Sequence, residues 1–154
     1  MAINPDLDPH QADHFSAPDP GLSHGLPIPS AESIPPSRSQ RPWGWFETLA
    51  DGEGYRVKRL RILAGRRISL QRHRHRCEHW IIASGTGLID YEGTCVSAAA
   101  GDSFTIPLGA LHRATAGDSD LEIIEVQRGE LLSEEDIERF DDDFGRVVKS
   151  RFNL

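Results

Sequence analysis

The chain has 154 residues, 38% of them hydrophobic, and a formal net charge of −7. That length suits one ordinary domain, and the apolar share falls below the roughly 45–50% usual for a compact globule, so part of the chain is expected outside any core. The acidic balance excludes the broad basic footprint of a nucleic-acid or anionic-membrane binder, and the longest apolar runs fall far short of the roughly 18–20 residues a membrane span needs.

Residues 1–40 form the first segment. Nine of the ten prolines lie between Pro5 and Pro42, among Ser, Asp, His and Gly. Such a stretch cannot bury enough apolar surface to offset its ordering entropy, so a disordered arm is expected there. His10, His14 and His24 fall in it at spacings that suit no preformed site. No basic segment precedes an apolar core at the N-terminus, which gives the cytoplasm as the expected location. The folded domain is expected over 41–154.

From Arg41 onward, short β-type runs alternate with glycine-rich turns. Residues 45–49 alternate weakly. Residues 55–63 alternate clearly, with Val57 and Arg59 on one face and Lys58, Leu60 and Ile62 on the other. Further strands are expected over 67–71, 78–83, 87–91, 94–98, 103–106, 111–115 and 121–128, separated by Gly and Asp clusters such as Ala100-Gly101-Asp102. Many short strands without helical crossovers predict an all-β antiparallel sandwich or barrel. One short C-terminal helix is expected from Ser133 as N-cap to about Phe140, with Asp136 in the capping-box position. The two cysteines, Cys77 and Cys95, are too few for a disulfide framework and not spaced as a thiolate metal motif.

The segment from Gly65 to Trp80 carries the densest chemistry. On a strand, residues two apart share a face, so Gln71, His73 and His75 can point together if the extended conformation persists. Glu78 follows a short bend and can approach from the next strand. His112, the remaining histidine of the domain outside this segment, follows the turn Pro107-Leu108-Gly109. Imidazoles with carboxylate and amide oxygens suit Zn²⁺, Mn²⁺, Fe²⁺ or Co²⁺ rather than a Ca²⁺ or Mg²⁺ cage.

These two segments resemble the paired motifs of the cupin superfamily. The first runs Gly65, Gln71, His73, Glu78, Gly85, and the second Gly101, Pro107, Gly109, His112. Two departures stand out: Gln71 replaces the first histidine of most cupins, and Ala116 replaces a usual asparagine. The resemblance implies a single cupin barrel (a double-stranded β-helix or jelly roll) holding one divalent metal on Gln71, His73, Glu78 and His112. Zn²⁺ is the first expectation, with Mn²⁺, Co²⁺ or Fe²⁺ also compatible.

A narrower resemblance rests on Arg41-Pro42-Trp43-Gly44-Trp45, Ser69-Leu70-Gln71, His75-Arg76-Cys77-Glu78-His79-Trp80, Glu122–Gln127 and Asp142-Asp143-Phe144-Gly145-Arg146. Together these are similar to type II mannose-6-phosphate isomerases, in which the isomerase is the C-terminal cupin of a larger protein with a guanylyltransferase domain. No guanylyltransferase domain is expected within these 154 residues. The resemblance implies interconversion of mannose 6-phosphate and fructose 6-phosphate, feeding GDP-mannose and polysaccharide synthesis. Such an isomerase needs a proton carrier, for which His75 and Glu125 are candidates. It also needs cations for the phosphate, for which Lys58, Arg59, Arg113 and Arg146 are candidates. The expected partner is a small sugar phosphate, with neither nucleic acid nor membrane, and a homodimer by analogy with other cupins. Two alternatives are a non-catalytic cupin that binds a sugar or nucleotide-sugar and regulates polysaccharide synthesis, and a different cupin enzyme such as an Fe(II) oxygenase or an epimerase.

Overall fold

A computed structural model describes residues 38–147. The expected arm therefore lies outside the described residues except at its end, where Ser39 and Gln40 enter a strand. Eleven strands occur in the described residues: β1 (Ser39–Arg41), β2 (Gly44–Gly52), β3 (Tyr55–Ile62), β4 (Leu70–His73), β5 (Arg76–Ser84), β6 (Thr86–Tyr91), β7 (Thr94–Ala99), β8 (Ser103–Ile106), β9 (His112–Ala116), β10 (Leu121–Gly129) and β11 (Ile137–Asp141). They form two antiparallel sheets, ordered β1-β2-β3-β10-β5-β8 and β11-β4-β9-β6-β7.

The inward faces explain why one end of this fold is a core and the other a site. Along β10, Leu121, Ile123, Glu125 and Gln127 are all buried and share one face. The face is apolar for its first half and polar for its second. Neighbouring strands switch at the same level. On β3, Ile62 and Leu60 give way to Lys58, and on β5, Ile82 and Trp80 give way to Glu78 and Arg76. Register brings like together: Ile123 pairs with Leu60 and Ile82, Glu125 with Lys58 and Trp80, and Gln127 with Glu78. Each fully buried isoleucine contributes about 1.5–3 kcal/mol of transfer free energy. The apolar end thus carries the cost of burying the polar one.

The C-terminal helix is corrected to a single 3-10 turn, Glu134–Asp136, followed by strand β11. Ser133 does cap it, its Oγ accepting from the Glu135 N–H at 3.1 Å. The Asp136 carboxylate, however, does not reach back to Ser133. It accepts from the backbone N–H groups of Arg74 and His75, both at 3.1 Å. Residues 137–141 then satisfy the edge of β4, with Ile137 opposite His73 and Arg139 opposite Gln71. Pairing to an open sheet edge outweighs local helix propensity in a segment this short.

Candidate metal centre

β4, β5 and β9 bring His73, Glu78 and His112 together at the polar end. One ligand atom from each lies within 4.8 Å of the others, and all three residues are buried. Nε2 of His73 is 3.0 Å from Glu78 Oε1, and Nε2 of His112 is 3.6 Å from Glu78 Oε2. The outer ring nitrogens fix the tautomers. Nδ1 of His112 donates to the Ala110 carbonyl at 2.9 Å, and Nδ1 of His73 faces the Asp136 carbonyl at 3.4 Å. With the proton on Nδ1, each Nε2 presents a lone pair.

Two imidazole lone pairs therefore converge on a carboxylate. Nε2 of His112 is buried without a hydrogen-bond partner among the described residues. A divalent cation resolves that arrangement, because each atom is then a ligand and each imidazole keeps its outer N–H bonded to a carbonyl. Burial, opposed by the charge of Glu78, lowers the His112 pKa and keeps the ring in its neutral, ligating form. Burial alone would raise the Glu78 pKa, but its close neighbours His73, His112 and Arg76 hold it below the usual carboxylate range. The residues fit a metal.

Gln71 is buried and lies opposite His112 in the β4–β9 register. Its Oε1 accepts from the Ser69 hydroxyl at 2.8 Å. It borders the same internal cavity as Glu78, Glu125 and Gln127, which holds about 40 Å³ of free space. Glu125 accepts from Trp80 Nε1 at 3.1 Å and from Gln127 Nε2 at 2.6 Å. Burial, reinforced by the charge of Glu78 and opposed by Lys58, Arg76 and Gln127, pushes its pKa up to about 8. Trp80 Nε1 also faces Glu78 Oε2 at 3.1 Å, so one indole spans both carboxyl groups.

The remaining candidates divide. Lys58 is buried at the cavity, with Phe46 beneath it and Glu134 as its ion-pair partner. Arg146 borders the cavity and pairs with Asp142. His75 is not brought to it. β4 ends at His73, and His75 sits exposed in the bend that follows, where strand alternation no longer applies. Arg59 points to the opposite face of β3 and pairs with Glu47. Arg113 alternates away from His112 and pairs with Asp141 at 2.7 Å.

Sequence reasoning missed Arg76. Its guanidinium donates to Glu78 Oε1 at 2.9 Å and to the Ser133 carbonyl at 2.8 Å, and lies 3.3 Å from Nε2 of His73. Period-two alternation back from Glu78 would have placed it on the inward face. Arg41, which the first quoted motif contains, was not singled out, and Glu134 and Arg139, which also border the cavity, carried no motif signal.

Two sheets with ligand-type side chains gathered at one end define the cupin class. An RmlC-like cupin from Shewanella frigidimarina superposes with a TM-score of 0.59 over 68% of this chain and 90% of that one, at 18% identity. Residues 32–142 match the family described as mannose-6-phosphate isomerase C-terminal, and the chain belongs to that family. It is 41% identical over 108 residues to the mannose-1-phosphate guanylyltransferase ManC of Salmonella typhimurium, covering 70% of this chain and 22% of that protein. It is 42% identical over 110 residues to the alginate biosynthesis protein AlgA of Pseudomonas aeruginosa, covering 71% and 23%. The chain thus spans less than a quarter of the length of these relatives.

Proposed function

We propose that this cupin is a metal-dependent aldose–ketose isomerase that interconverts mannose 6-phosphate and fructose 6-phosphate, supplying GDP-mannose for polysaccharide synthesis. The observation that carries the reading is the pairing of the His73, Glu78 and His112 cluster with a second buried carboxyl, Glu125, at the same end of the barrel. Gln71 is the fourth ligand in this proposal. A divalent cation, Zn²⁺ first among those compatible, would polarise the sugar oxygens at C1 and C2 and make the C2 proton easier to remove.

The chain's own residues do the rest. Arg76 and Trp80 each donate to one oxygen of Glu78 and hold its orientation. Glu125, whose pKa sits near 8, is poised to exchange a proton around neutral pH, as a shuttle between C2 and C1 must. Gln127 and Trp80 keep its carboxyl pointed into the cavity. Trp43, Leu60 and Ile68 line the same cavity and exclude water from the reacting carbons. The family membership and the polysaccharide-related names of its relatives support the choice of sugar.

A coupled assay on metal-depleted and reconstituted protein tests this. Fructose 6-phosphate should form only after reconstitution, and His73→Ala should abolish both metal retention and turnover. Absence of turnover with metal bound would leave a sugar-binding cupin instead.

A further inference from the structure

We propose that Glu134 occupies the subsite that receives the phosphate of the substrate, and that Lys58, Arg41 and Arg139 are the cations of that subsite. The inference rests on the sugar-phosphate reading and adds the place of the anion and its resident competitor.

Three observations converge. Lys58 is buried, its side chain 5% exposed, and its ion-pair partner is the half-buried Glu134. Arg41 lies 4.0 Å from the other oxygen of the same carboxylate. A carboxylate of this chain thus sits between two cations, all three residues bordering the cavity. Next, Arg139 projects to the same place from β11, and its buried Nε has no hydrogen-bond partner among the described residues. Burial first, then the charge of Arg146, lowers the Arg139 pKa against the opposing charges of Asp142 and Glu134. Finally, the cavity behind Glu134 holds about 40 Å³, enough for a water but not for a hexose phosphate.

Arg139 and Arg146 also border an open groove of about 390 Å³ outside the 3-10 turn. The turn's backbone is tied down. Arg56 donates to the Leu132 carbonyl at 2.7 Å, Arg76 donates to the Ser133 carbonyl, and Asp136 holds the 74–75 bend. Exchange therefore requires rotation of the Glu134 side chain, not refolding of the turn. A phosphate dianion carries more charge and more acceptor oxygens than a carboxylate, so it can satisfy Lys58, Arg41 and Arg139 together, where Glu134 pairs with Lys58 and Arg41 and leaves the Arg139 Nε without a partner.

Calorimetric titration of metal-reconstituted full chain with inorganic phosphate tests the subsite without turnover. Glu134→Gln should bind phosphate about tenfold more tightly than wild type, and Arg139→Gln about tenfold more weakly, the effect of one charge at a desolvated anion site. Metal content should be unchanged in both, which excludes loss of fold. Phosphate binding indifferent to both substitutions, as for phosphate held by the metal alone, would overturn the proposal. So would weaker binding by Glu134→Gln. If Glu134→Gln tightens phosphate binding but mannose 6-phosphate is not isomerised, the subsite stands and the isomerase reading falls. If isomerisation proceeds but phosphate ignores the substitutions, the reverse holds.

Discussion

His112 donates a hydrogen bond from Nδ1 to the Ala110 carbonyl, and its other nitrogen then meets Glu78 with no donor between them. Glu78 meets the same situation at His73, although Arg76 relieves part of it. The sequence motifs already marked these three residues, because motif spacing is a statement about strand faces. It marked His75 too, since alternation was carried one step beyond the end of β4. Arg76 was legible from period-two alternation back from Glu78 and was overlooked, whereas Glu134 was not legible, because its role depends on Lys58 and Arg41, which are distant in sequence. Glu125 yields a direct test at this scale. Its carboxyl keeps its proton to about pH 8 in the folded state, against 4.5 when unfolded. An acid shifted upward adds stability that is full below the unfolded pKa and lost as pH rises through the folded one. His112, shifted downward from 6.5, acts in the opposite sense at lower pH. The window in which Glu125 stands alone is therefore roughly pH 7 to 8.5. Metal-free protein should lose urea stability across that window, and Glu125→Gln should flatten the loss. An unchanged slope in the variant would contradict the assignment.

Most strands were readable because alternation of apolar and polar residues is a local property. β3 and β8 fall close to where the pattern puts them, and β5 and β10 extend it by one or two residues. β1 and β11 were not seen. Each is an edge strand whose partner, β2 or β4, supplies the reason for extension. Residues 133–140 have the acidic first turn of a helix, yet Asp136 is spent on the 74–75 bend and the following backbone on β4. Turns were legible where glycine is obligatory. Gly85 between β5 and β6 has φ 83°, and a Cβ there would lie 2.1 Å from the Asp120 carbonyl oxygen. Neither the left-handed backbone nor the clash can be relieved by a side-chain movement. Gly85→Ala should therefore destabilise the fold by more than about 1 kcal/mol, read as a lower urea midpoint with an unchanged m-value. A midpoint equal to wild type would show that the β5–β6 turn has freedom the structure does not suggest.

At the scale of the molecule, a barrel with one apolar end and one polar end separates stability from chemistry. The core around Ile62, Trp80, Leu121 and Ile123 holds the sheets together. Unpaired lone pairs, a protonated carboxyl and excess cations are gathered at the other end. No helix among the described residues is long and apolar enough to cross a membrane. Glu134 borders the cavity, and Ile137, Arg139 and Arg146 border both the cavity and the groove. The most direct measurement is NMR of mannose 6-phosphate in D₂O with protein stripped of metal and then reconstituted. Fructose 6-phosphate carrying deuterium at C1, formed only after reconstitution, is the predicted result, since a proton passing through an ionisable carboxyl exchanges with solvent. Metal-loaded protein that neither isomerises the sugar nor exchanges its C2 proton would contradict the account.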